Sequence, residues 1–120
     1  MRRSLAVKLT CGAEAAERAN QALSVAASAV AAGATVSLWL TGEGVWFGVE
    51  GRCPDLALEH AAPTAALVEA IRSGGEVTVC SQCAARRGIT ADDLIEGARV
   101  AGAVAFTELV LREGVQALVY

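Results

Sequence analysis

Two cysteines three residues apart, Cys80 and Cys83, are the side chains of this chain best suited to covalent chemistry. Cys80 closes the β-type run Glu76–Cys80, and the residues from Ser81 to Arg87 read as a short helix capped by Ser81. A cysteine at such a junction meets unpaired backbone N–H groups and the positive end of a helix dipole, and both favour thiolate over thiol. Cys80 is therefore expected to act as a nucleophile; the competing reading is a small hydrophobe packed in the core. Arg86 and Arg87 either assist the thiolate electrostatically or decorate a solvated helix face.

The Cys-x-x-Cys spacing has two further uses, a dithiol–disulfide pair with Cys83 as second catalytic thiol, or half of a zinc site. Zinc needs a second ligand pair from Cys11, Cys53 or His60, and these have no paired spacing, so no metal and no other cofactor is expected. The redox reading lacks the aromatic and proline context usual for such pairs. Cys11 reads as structural or as a neighbour of the site, and Cys53, beside Pro54, as incidental. His60, the single histidine, reads as a loop residue because nothing in the sequence pairs it with Cys80.

Positioning these groups requires strands that end at one edge. Ser4–Leu9 alternates and runs into Thr10-Cys11-Gly12; a helix follows over 13–32, with Ala19, Leu23 and Val30 at helical spacing and Gly33 as its stop. Thr35–Leu40 is a second strand leading to Gly42-Glu43-Gly44, and 45–60 reads as a loop with room for one short helix. Pro63 opens a helix to about Arg72, Ser73-Gly74-Gly75 ends it, and Glu76–Cys80 is the third strand. Thr90-Ala-Asp-Asp93 resembles a capping box for another helical turn or two, stopped by Gly97; a short strand at 98–101, a helix at 103–112 and a last strand Val115–Val119 complete the chain.

Strands alternating with helices imply parallel crossovers, and a last strand with few charges suits a sheet covered on both faces, giving a three-layer α/β/α sandwich with a mostly parallel sheet in one domain over 1–120. Ligands of such sheets bind outside the carboxyl ends of the strands. That edge gathers Thr10, Cys11, Gly12, Gly42, Glu43, Gly44, Ser81 and Gln82 as candidate ligand-binding residues around Cys80. The glycines match neither a dinucleotide fingerprint nor a P-loop. Trp39, Trp46 and Phe47 belong to the core, to a ligand crevice or to an oligomer contact.

Composition excludes several classes. The 120 residues are 54% hydrophobic but only 4% aromatic, so the core is built from small aliphatic side chains. Ten basic residues against 13 acidic give a net charge of -3, without the basic excess that nucleic-acid binding requires. The uncharged run 19–42 is interrupted by polar residues and Gly33 and is read as helix, turn and strand, not as a membrane span. The apolar stretch behind Met1-Arg2-Arg3 is cut by Lys8, so no secretory signal is expected and the cytosol is the expected compartment, where the four cysteines stay reduced.

The segment Val79-Cys80-Ser-Gln-Cys83-Ala-Ala-Arg-Arg-Gly88-Ile89 resembles the DsrE/DsrF-like family, which includes sulfur-relay proteins of the DsrEFH and TusBCD type; Gly42-Glu-Gly44-Val45 and Leu94-Ile-Glu-Gly97 support the likeness. The resemblance implies a parallel sheet of about five strands, assembly into homo- or hetero-oligomers, and a cysteine at position 80 that accepts sulfur as a persulfide. Sulfur donor and acceptor proteins are then the implied partners. Cys83 departs from that pattern, which needs one cysteine here, and leaves room for disulfide resolution. The expected function is a sulfur carrier or sulfurtransferase-like protein; the alternatives are a non-catalytic oligomeric binding module and a Cys80/Cys83 thiol oxidoreductase.

Overall fold

Five parallel strands, in the spatial order β4-β3-β2-β1-β5, form one sheet in the computed structural model, which describes residues 2–120. The strands are β1 (Ser4–Leu9), β2 (Thr35–Leu40), β3 (Glu76–Cys80), β4 (Arg99–Ala101) and β5 (Val115–Val119). The helices are α1 (Ala16–Ala31), α2 (Thr64–Gly74), α3 (Ser81–Arg86) and α4 (Ala103–Val110). Because β1 lies between β2 and β5, the chain winds outward from β1 in both directions.

One face of the sheet supplies the core. Val7, Leu9, Val36, Leu38, Leu40, Val77 and Val79 pack with Ala19, Ala22, Leu23 and Ala26 of α1 and with Val68 and Ile71 of α2. Each large aliphatic side chain so buried contributes roughly 1.5–3 kcal/mol. The alanine stripe of α1 keeps the layer thin. A Cβ added at Gly74 would stand only 2.3 Å from a Val30 methyl, so the end of α2 reaches its seat against α1 only as glycine.

The other face carries Ala6, Lys8, Ser37, Trp39, Thr78 and Arg99 and is covered by α4 alone, through Phe106 set edge-on against Trp39 at 5.3 Å. The sandwich thus has three layers, but the third is one short helix without a buried residue. The expectation that the last strand is covered on both faces is overturned: Leu118 is 40% and Val119 64% exposed. Few charges in β5 signalled an apolar strand, not one that this chain covers.

Other boundaries also move. A 3-10 turn, Ala13–Ala15, precedes α1, and α2 runs through Ser73 and Gly74. The capping box forms, with the Asp93 carboxylate accepting from the Thr90 N–H at 2.8 Å, but it opens only the 3-10 turn Ala91–Asp93, so Gly97 stops no helix. The segment after β2 is a 3-10 helix, Gly42–Gly48, and it buries Val45 and Phe47. No helix among the described residues is long and apolar enough to cross a membrane.

Candidate functional site

The strand exits converge at the carboxyl edge as expected. Thr41 N–H donates to the Leu9 carbonyl at 2.9 Å, tying the exit of β2 to the end of β1. Thr10 N–H and Oγ1 both donate to the Tyr120 carbonyl, at 2.9 and 2.6 Å, tying β1 to the end of β5. Between these ties the backbones approach closely. Gly42 adopts a left-handed φ of +54°, and a Cβ there would lie 2.6 Å from the Thr10 carbonyl oxygen. At Gly44 a Cβ would meet the Leu9 carbonyl at 2.8 Å, and at Gly12 the Glu43 carbonyl at 2.9 Å. The glycines therefore weld two loops into one rim. Glu14 accepts from the Gly12 N–H at the same turn.

Cys80 ends β3, half-buried, and is itself the N-cap of α3, with non-helical φ -61° and ψ 125°. Ser81 is the first helical residue, one position later than the capping role expected of it. A side chain at the N-cap faces the N–H groups two and three residues on, here Gln82 and Cys83. Sγ closes no standing cap bond, yet the ionised form is favoured. Burial is the largest single influence and acts to raise the thiol, but it is outweighed by the Cys83 N–H and thiol, the Gln82 N–H and the charge of Lys8, which together hold Cys80 below its ordinary value.

The other cysteines contrast with it. Cys11 is buried, its Sγ 3.9 Å from the Ala15 carbonyl, and burial followed by the Glu14 charge pushes its thiol up against the opposing Arg18. Cys53 is half-buried and is raised by burial and then by Asp55. It lines an open cleft of about 600 Å³ with Phe47, Val68 and Ile95, and Cys80 is not among the lining residues. His60 sits in a loop at φ 65°, where it lines a groove with Glu17 and Asn20.

Arg87 ties α3 to the rim through Glu43, while Arg86 stays within α3. Arg87 Nε donates to Glu43 at 2.6 Å and its Nη1 to the Cys83 carbonyl at 3.0 Å, while Arg86 reaches to 4.0 Å from Cys83 Sγ. Hydrogen bonding to Arg87 is the main cause that holds the Glu43 carboxyl below its usual range. Of the residues singled out from sequence, Thr10, Gly12, Gly42, Glu43 and Gly44 form this rim with Cys80, Ser81, Gln82 and Cys83 behind it, whereas Cys11 turns into the core. Sequence reasoning missed two members. Gly102, at the start of α4, abuts Ser81, a Cβ there lying 3.1 Å from Oγ. Lys8, the single lysine, was legible only as a charge interrupting an apolar strand.

An open parallel sheet flanked by helices, with a polarised cysteine at a strand-to-helix turn and glycine-tightened neighbouring loops, defines the class. The DsrE/DsrF-like family profile matches residues 4–119, and the chain belongs to that family. It is 35% identical over 85 residues to the uncharacterized protein MK0008 of Methanopyrus kandleri, covering 71% of this chain and 68% of that protein. Against the uncharacterized protein MJ0989 of Methanocaldococcus jannaschii it is again 35% identical over 85 residues, covering 71% and 72%. Among solved structures, the ychN protein of E. coli superposes over 100% of both chains with a TM-score of 0.80 at 20% identity. The protein of unknown function MTH1491 from Methanobacterium thermoautotrophicum does so over 100% of both with a TM-score of 0.70 at 16% identity. These likenesses establish the shared fold.

Proposed function

We propose that this protein is a sulfur carrier or sulfurtransferase-like component that accepts sulfane sulfur on Cys80. The observation that carries the reading is the N-cap position of Cys80, where helix N–H groups and a lysine charge favour the anion over the thiol. The family membership supports it. In the loading step the Cys80 thiolate attacks the outer sulfur of a donor persulfide, R–S–S–H. The new S–S bond forms as the donor S–S bond breaks, R–S⁻ leaves, and the proton of the transferred sulfur passes to it through solvent. Sulfur moves with no external oxidant. The reverse displacement, by an acceptor thiolate, unloads it.

Donor and acceptor proteins are the partners this chemistry requires, and a reducing compartment such as the cytosol suits four free cysteines. The proposal includes self-association, with a second copy covering the apolar surface of α4 and β5. Val104 is 74%, Leu111 78% and Val119 64% exposed, and β5 is an uncharged edge strand whose outer backbone groups are unpaired within the sheet. Trp46 and Phe47 are less suited to such a contact, since Phe47 is fully buried and Trp46 stacks under Arg52 at 4.7 Å.

Intact mass measured after mixing the protein with a persulfide donor tests the function. Wild type and Cys83→Ala gain one sulfur and Cys80→Ser gains none. Equal loading of Cys80→Ser would remove the proposal. A loss of two hydrogens that depends on Cys83 would instead identify a Cys80/Cys83 oxidoreductase, a reading favoured by the Cys83 thiol that faces Cys80.

A further inference from the structure

Lys8 is held in a way that an ordinary surface lysine is not. It projects from β1, the second strand in from the β5 edge, on the polar face of the sheet, and its Nζ lies 4.8 Å from the centre of the Phe106 ring under α4. Phe106 is in turn seated edge-on against Trp39, the cross-strand neighbour of Lys8. Among the described residues the ion pairs are Arg72–Glu69, Arg87–Glu43 and Arg99–Glu76, and Lys8 belongs to none of them. A half-buried ammonium over an aromatic face, without a carboxylate partner, is a cation still available to an anion.

The register shows where that anion would stand. Lys8 pairs with Trp39, Trp39 with Thr78, and Cys80 lies two residues beyond Thr78 on the same face. Two strand spacings, about 10 Å across the sheet, and two residues, about 7 Å along it, separate the Lys8 and Cys80 backbones, and the flexible lysine arm bridges part of that gap. Beyond Cys80, on the β4 side, Ser81 at the start of α3 abuts Gly102 at the start of α4. We propose that Lys8 is the electrostatic positioning residue of the Cys80 site, drawing in anionic sulfur species such as persulfide and polysulfide anions and facing the negative outer sulfur once it rests on Cys80.

Of the other charged groups around the site, Arg87 and Arg99 are paired with carboxylates, whereas Arg86 is in no ion pair and is turned to Cys83 and Gln82. On α3, Arg86 lies against Cys83 and Gln82, and Arg87 is paired with Glu43 of the 3-10 segment. On β4, Arg99 is held by Thr78 and Glu76. On α4, Glu108 lines a cleft with Trp39, Arg99 and Arg112 and is in no ion pair with Lys8. The lysine charge also acts in the direction that favours the Cys80 thiolate.

This inference rests on the carrier reading for its substrate class, but its test needs no sulfur donor. The rates at which iodoacetate, an anion, and iodoacetamide, its neutral analogue, modify Cys80 are read by peptide mass spectrometry in the folded protein. The iodoacetate-to-iodoacetamide ratio falls roughly threefold in Lys8→Met, as expected for one screened charge near the thiolate. Lys8→Arg restores it, and high salt erases the difference. If Lys8→Met does not fold by circular dichroism, Lys8→Gln carries the same expectation. A ratio unchanged in the neutral variant, or equally low in Lys8→Arg, would overturn the role of Lys8. Failure of Cys80 to take up sulfur would remove the carrier and leave this ratio standing.

Discussion

The two faces of the sheet are built to different ends. On the α1/α2 face every strand side chain from Val7 to Val79 is aliphatic and at most 2% exposed. On the α4 face the same strands present Lys8, Ser37, Trp39, Thr78 and Arg99, joined by hydrogen bonds such as Trp39 Nε1 to Ser37 at 3.0 Å and Arg99 Nε to Thr78 at 3.2 Å. The first face stabilises the chain. The second holds polar groups at fixed register beneath a thin cover, and Cys80 lies at its end. Stability and chemistry are thus separated by the period of two of the β-strand, which sends neighbouring residues to opposite sides.

The largest effect expected from breaking this separation is on the core face. Leu38→Ala lowers the unfolding free energy by about 2–5 kcal/mol, because the methylenes removed leave a cavity under α1 and α2; denaturant unfolding measures it. Next is the rim. Gly42→Ala combines a left-handed backbone with a Cβ at 2.6 Å from the Thr10 carbonyl oxygen, and costs about 1–3 kcal/mol by the same measurement. On the outer face, Val104→Ser with Leu111→Ser changes the stability of the monomer by no more than ~0.5 kcal/mol yet lowers the mass seen in sedimentation. An unchanged sedimentation profile would deny that α4 and β5 meet a second copy. Smallest is Glu43→Gln, which releases the exposed Arg87 pair and moves the melting temperature by little more than the error of measurement.

Much of the sheet was legible because strand ends are marked by the chain itself. β1, β2, β3 and β5 carry the boundaries read from sequence, each set by glycine or charge on one side and an apolar run within. The rim glycines were legible as turns, but not as close contacts, since Gly12 and Glu43 meet only once β1 and β2 are paired. The cap on α3 was placed one residue late because Ser81 has the higher capping preference, while the end of β3 hands that position to Cys80. The bareness of β5 was hidden for a different reason. Apolar composition says that a strand is covered, but not whether its own chain or another covers it. Lys8 gains its meaning from Phe106, which is 98 positions away in the chain and reaches it only through α4.

The four free cysteines allow one measurement to test the central claim, that the strand-to-helix junction lets Cys80 ionise more readily than a free cysteine. A thiol whose folded value lies below its unfolded one contributes stability that is fully present above the unfolded value and is lost as pH falls through the lowered folded value. The same ordering governs reactivity. Iodoacetamide modification of each cysteine in the folded protein, followed by peptide mass spectrometry across pH, should give Cys80 a half-maximal rate at a pH below that of a free cysteine, about 8.5, with Cys11 and Cys53 above it. A Cys80 midpoint at or above the free value, level with the buried Cys11, would contradict the claim.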